Sequence, residues 1–376
     1  MKAAARPVQR PADARLLVVD GAGRIAHHPR SALADLLVAG DLVVANDAAT
    51  LPASLSGRHL ATGATIEVRL AGSRSLAVDD GASFLAIVFG AGDWRTRTED
   101  RALPPPLTAG DALSLGPLTA TVVRVVAAPR LVELRFAGAA DAIRAGVARH
   151  GRPVQYAHID APLALWDVWT SIAAQPVAFE APSAGFVIDW HLLEGLRQRG
   201  IGFATLTHAA GLSSTGDAAL DARLPFDEPY RLPAATVAAV RRALDRGDRI
   251  VAIGTTVARA LEHAAARPGG LRPGRAIADN RLGRSTRLRV VDALVSGTHE
   301  PGSSHHELLR AFVDATTLAR IDAAVASGDY RTHEFGDSVL VERGVAPRCA
   351  HAEPRSNLNT ATLASRLGKV RTTLPA

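Results

Sequence analysis

Small and polar residues gather just beyond apolar runs at five places: Asn46-Asp47, Ser183-Ala184-Gly185, His208, Gly254-Thr255-Thr256 and Thr298-His299. These are residue types that move protons or hold ligands. An imidazole exchanges protons near neutral pH, and a glycine lets a ligand approach the main chain. The clearest of the five lies in RIVAIGTTVARALE, Arg249–Glu262. Ile250–Ile253 reads as a buried strand, and Val257, Ala260, Leu261 and Ala264 then recur at helical spacing. A helix starting there favours a carboxylate or phosphate at its first turn. A threonine at the junction is expected to cap the helix. An ordinary capped turn has the same composition, so spacing alone leaves both readings open.

Other groups are weaker candidates. His299, His305 and His306 with Glu300 and Glu307 offer imidazole and carboxylate, but their spacing matches no zinc pattern, and no metal is expected. Glu334 and Asp337 in YRTHEFGDSVLV are either a carboxylate pair for acid–base work or a solvated turn. No serine elbow, phosphate-binding lysine loop or GxGxxG stretch occurs.

The elements that must position these residues change character along the chain. Residues 1–14 read as a poorly ordered arm. Arg15–Val19 and Leu42–Ala45 read as strands, with a helix at Ala32–Val38 between them. From 53 to 150 short strands dominate (Ile66–Leu70, Phe84–Phe89, Ala112–Leu115, Thr119–Val126, Leu131–Phe136), which a barrel or sandwich would close. From Arg152 the pattern is α/β. Helices are expected at Leu163–Ile172, with Trp166 and Trp169 in the core, and at Trp190–Arg199, Pro233–Arg246, Leu308–Ala315 and Arg320–Ser327. Strands are expected at Ile201–Leu206, Leu288–Val295 and Ser338–Val341. Residues 212–227 and 267–285 read as loops, the first long enough to suggest a functional lid. The composition of 344–376 predicts a disordered tail. In an open α/β sheet, ligands collect beyond the carboxyl ends of strands, so five such clusters suggest one pocket.

Composition narrows the function classes. At 47% hydrophobic and 21% charged, this is a globular chain. No apolar run approaches ~18 residues, so no membrane span is expected. The N-terminus lacks the apolar segment of a secretory leader. The single cysteine, Cys349, excludes intrachain disulfides and cysteine-rich zinc sites and fits the reducing cytoplasm. Of the net charge of +6, +3 lies in the first ten residues and +4 from Gly344 onward, leaving residues 11–343 at −1. The charge is therefore not a body-wide nucleic-acid footprint.

Taken in order, VVANDAATLPASLSGRHLATGATIEV, PSAGF, AIGTTVARALE, VDALVSGTHEPGSS and YRTHEFGDSVLV resemble the S-adenosylmethionine:tRNA ribosyltransferase-isomerase family of queuosine biosynthesis. The resemblance covers most of 15–70 and 153–342. It implies a larger α/β domain, 11–52 and 151–343, interrupted by a smaller β-barrel domain at 53–150. The family reaction transfers the ribosyl part of S-adenosylmethionine to a 7-aminomethyl-7-deazaguanine base in tRNA, releasing adenine and methionine. By this resemblance Gly254, Thr255, Thr256 and Arg259 lie on the S-adenosylmethionine side, with Asn46, Ser183, Ala184, Gly185 and Glu228 as further binding residues. His208, His299 and Asp47 are the candidates for proton transfer. The sequence departs from the family pattern at Ala48-Ala49 (for T-R), in PSAGFVI (for P-T-A-G-L-H-F) and at Gly302 (for the lysine of L-P-K-S). A transferase acting on a small acceptor, or a non-catalytic binding protein, are the alternative readings.

Overall fold

A computed structural model describes residues 2–76 and 82–344. The expected tail lies outside the described residues from 345 onward, as does Cys349. Among the described residues, nine strands form one sheet, in the order Gly274–Ala278, Glu228–Leu232, Gly202–His208, Leu42–Asn46, Ile250–Ile253, Ala293–Gly297, Ser338–Glu342, Arg15–Val19, Ile25–Pro29. The central four, Gly202–His208 through Ala293–Gly297, run parallel to one another. The near-continuous apolar sequences of Leu42–Asn46, Ile250–Ile253 and Ala293–Gly297 follow from burial on both faces. Val44, Ala252 and Leu294 pack with Val240, Val257, Leu261 and Leu318 on one side. Val43, Ala45, Val251 and Val295 pack with Leu192 and Leu196 on the other.

The short strands between 54 and 136 close into a six-stranded antiparallel barrel. Closure comes where Arg58 and His59 of Ser54–His59 pair with Ser114 and Leu113. Leu55, Ile66, Val68, Leu113, Val122 and Leu134 fill it. Ser54 and Arg152 exchange backbone hydrogen bonds of 2.9 Å, so the chain enters and leaves the barrel side by side. The expected mixed α/β architecture interrupted by a barrel is present.

Several local expectations are corrected. The N-terminal arm is anchored: Lys2–Ala3 pairs with Arg331–Thr332, and the Gln9 amide donates to the Asp167 and Trp169 carbonyls at 2.9 and 2.8 Å. The helix at Leu163–Ile172 is only the single turn Leu165–Val168, too short to bury a face, which leaves Trp166 76% and Trp169 41% exposed. The expected helix at Leu308–Ala315 begins earlier: Ser304–Leu308 is helical, Leu309–Ala311 forms a 3-10 turn, and the Ser303 hydroxyl caps by accepting from the His306 amide. Ile25–Pro29, Glu228–Leu232 and Gly274–Ala278 are strands that sequence periodicity did not reveal. Among the described residues no helix is long and apolar enough to cross a membrane.

Candidate functional site

The four parallel strands end on one edge of the sheet, and a cleft of about 250 Å³ opens beyond them. Gly254 is its pivot. At φ 102° it occupies backbone space that L side chains rarely adopt, and it turns the chain from strand Ile250–Ile253 into helix Thr255–Ala266. A Cβ there would stand 3.5 Å from Ala184 Cβ, so the glycine sits opposite the 3-10 turn Ser183–Val187. Gly254, not a threonine, is the N-cap, and no side chain caps the helix. The expected threonine cap is therefore absent; Thr255 and Thr256 are already helical and line the cleft instead.

A buried ion pair forms one wall. Glu228 stands on a strand next to His208 and receives the Arg259 guanidinium, the Gly211 amide at 2.6 Å and His208 Nε2 at 3.0 Å. Burial alone pushes the Glu228 carboxyl up, but Arg259 and His208 together hold it at about 2. Arg259, 3% exposed, also donates to the Asn280, Phe226 and Ala278 carbonyls. This carboxylate is an ionised fixture of the cleft, oriented from three sides.

Other groups lining the cleft are in less settled ionisation states. His299 follows strand Ala293–Gly297 and stacks on His305, ring centroids 4.5 Å apart and 13° from parallel. Burial, with the nearby imidazoles adding to it, lowers the His299 pKa well below the usual histidine value; burial lowers that of His305 too. Both rings line the cleft as neutral bases. Glu180 lines it as well. It accepts from the Tyr156 hydroxyl and from the Ser213 amide at 3.0 Å, and burial pushes its carboxyl up to about 7. A neutral imidazole and a half-protonated carboxyl in one cleft have the separation of proton affinities that acid–base chemistry requires.

A profile of the queuosine biosynthesis protein family matches residues 1–341. This chain belongs to that family. The S-adenosylmethionine:tRNA ribosyltransferase-isomerase of Pelobacter propionicus is 32% identical over 328 residues, covering 85% of this chain and 90% of that one. A protein of the same name from Sorangium cellulosum is 33% identical over 361 residues, with 91% and 95% covered. In three dimensions the chain aligns with an S-adenosylmethionine tRNA ribosyltransferase from Thermotoga maritima at 23% identity and a TM-score of 0.47, over 90% of this chain and 95% of the other.

Within this family member, the residues singled out by sequence fall into two groups. Ser183, Ala184, Glu228, Gly254, Thr255, Thr256, Arg259 and His299 line the cleft. Asn46, Asp47, Gly185 and His208 stand behind it. Asn46 spans the strands by accepting from the His208 amide and donating to the His208 carbonyl, both at 2.9 Å. Asp47 turns back to accept from the Thr207 and Thr205 hydroxyls at 2.6 and 3.0 Å. Gly185 packs where a Cβ would meet Thr170 at 2.9 Å. His208 is fully buried, its Nδ1 donating to the Thr256 carbonyl at 2.7 Å. Glu334 and Asp337 do not form a pair: Glu334 meets His158, whereas Asp337 meets Arg15 and Arg331. Sequence reasoning missed Glu180 and Tyr156. The available signal was a carboxylate placed between an apolar strand and the PSAG turn.

Proposed function

We propose that the cleft binds S-adenosylmethionine and that the chain transfers its ribosyl part to a 7-aminomethyl-7-deazaguanine base in tRNA, releasing adenine and methionine. Supporting this reading is the juxtaposition of an uncapped helix start at Gly254–Thr256 with the ionised Glu228 and the neutral His299, in a member of a family whose relatives carry that name. The ligand carries one carboxylate, which suits the helix start. Its sulfonium and ammonium suit Glu228.

Two proton movements are needed. A base removes a proton from the carbon beside the sulfonium, and an acid protonates adenine as it leaves. His299, held neutral, takes the first role; Glu180, protonated up to about pH 7, takes the second. His208 and Asp47 act through others: His208 positions Glu228 and Thr256, and Asp47 fixes the strand end.

The acceptor requires phosphate contacts that the near-neutral body does not supply uniformly. A groove of about 590 Å³ beside the barrel collects Arg74, Arg124, Arg223 and Arg281 against Glu133, Asp227 and Asp279, and is the surface we assign to the nucleic-acid backbone. The test is adenine and methionine release from S-adenosylmethionine, with and without precursor-modified tRNA. Release that requires the tRNA and weakens with salt supports the reading. Equal release without tRNA replaces the acceptor with a small molecule, and no release in either arm overturns the activity.

A further inference from the structure

Outside the cleft, the fold brings together three groups able to ligate a metal. His158 lies in the segment that leaves the barrel, and His333 and Glu334 lie in the turn before the last strand. Each offers a ligand atom, and these atoms all lie within 4.8 Å of one another. His158 Nε2 is already 2.8 Å from Glu334 Oε2. The His333 ring stacks on the His158 ring with centroids 4.3 Å apart and 21° between planes, so two imidazoles stand side by side at one carboxylate. Glu300 Oε1 is 3.6 Å from His333 Nε2. Ligands bound at ~2.1 Å in a tetrahedron stand about 3.4 Å apart, so the 3.6 Å His333–Glu300 separation matches such an edge, and a pair at the 4.8 Å limit needs about 1.4 Å of movement.

We propose that His158, His333 and Glu334 form a binding site for a divalent transition metal ion of the zinc type, with Glu300 or water in the fourth position. Two imidazoles and a carboxylate suit zinc better than calcium or magnesium, which prefer oxygen. The ion takes the place of the hydrogen bond between His158 and Glu334 and needs deprotonated ligand atoms, so binding weakens in acid. His158, His333 and Glu334 are all partly exposed, leaving a route for the ion to enter. The site joins two segments 176 residues apart in sequence. Its Glu334 borders the same small internal cavity as Tyr156 and Glu180, so a bound ion would brace that wall of the cleft. This inference is independent of the proposed reaction.

The test uses the full, untagged chain, stripped with a chelator and titrated with zinc in competition with a chromophoric chelator. We expect one equivalent bound at micromolar zinc or below, with affinity at least tenfold weaker in His333→Ala and in Glu334→Gln. His305→Ala, in the separate histidine stack, should bind as the native chain does. Cobalt titrated into the native chain should give the visible bands of a four-coordinate ion, a readout that needs no variant to fold. Absence of stoichiometric zinc and of those cobalt bands overturns the site, as does undiminished binding in folded His333→Ala and Glu334→Gln.

Discussion

Two buried charge clusters in this molecule look alike and do different things. At the cleft, Glu228 meets Arg259 and His208. In the barrel region, Glu67 meets Arg69 and Arg101, and the guanidinium carbons of Arg69, Arg101 and Arg130 all lie within 5.0 Å of the Phe89 ring centroid. Both carboxyls are held below their usual range against strong burial. The barrel cluster is closed: Glu67 is shared by Arg69 and Arg101, and Arg101 also donates to the Gly90 and Gly92 carbonyls, which leaves Arg69 Nη1 and Arg101 Nε buried without a partner among the described residues. Beside the cleft cluster lie open volume and two groups pushed the other way, Glu180 raised and His299 lowered. Buried charge alone therefore does not mark a site. Space beside it, with neighbours of contrasting proton affinity, does.

The sharpest way to break this contrast is through activity. Glu180→Gln should slow turnover by about 10²–10⁴-fold, the usual contribution of a positioned acid. Arg101→Met in the barrel should leave kcat unchanged in protein that is still folded. Rate in the native enzyme should also fall as pH rises through about 7, where Glu180 loses its proton. A pH profile of adenine release in both proteins checks this.

Stability should treat the two clusters alike. Removing one partner of a buried pair leaves an uncompensated charge, so Arg259→Ala and Arg101→Ala should each cost about 3–5 kcal/mol in urea unfolding. A loss under 1 kcal/mol in either would mean that the charge finds water.

Glu180 offers a subtler check with a definite sign. Its folded pKa of about 7 exceeds the model-peptide value of 4.5, so the folded state binds the extra proton between those pH values. Its contribution is fully present below pH 4.5 and lost as pH rises through 7. Glu180→Gln should therefore gain on the order of 1–3 kcal/mol relative to the native chain above pH 8, and little at pH 4.5. Melting temperatures at both pH values decide it.

The smallest effect concerns the boundary between the two regions. We read 53–150 as a domain inserted between 11–52 and 151–343. Limited proteolysis should then cut first near Pro52 or 151–153 and leave a resistant barrel fragment. First cuts within the barrel strands would remove that reading.

Much of the frame was legible in the sequence because its signals are local. Leu42–Asn46 and Ile250–Ile253 are uninterrupted apolar runs with a polar or glycine stop, which is what burial on both sheet faces produces. The edge strands Ile25–Pro29 and Gly274–Ala278 escaped because one side of an edge strand is free, and mixed sequences such as IAHHP are tolerated there. Glu228–Leu232 is paired on both sides and escaped for another reason: the buried Glu228 and Tyr230 break its apolar run, and their partners Arg259 and His263 lie elsewhere in the chain. The site was legible only where chemistry follows directly from position along the chain. Gly254 and His299 could be found at strand ends. That His208 is the last residue of its strand, with its ring sealed between Thr256 and Glu228, required the packing. Tyr156–Glu180 and His158–Glu334 are contacts between distant segments, and nothing in either segment alone announces them.

The most direct measurement is isothermal titration of S-adenosylmethionine into the native chain and into Gly254→Val, whose side chain would crowd Ala184 at a backbone angle that valine resists. The account predicts saturable binding to the native chain and affinity at least tenfold weaker in the folded variant. No heat at millimolar ligand, or equal affinity in both proteins, would contradict it.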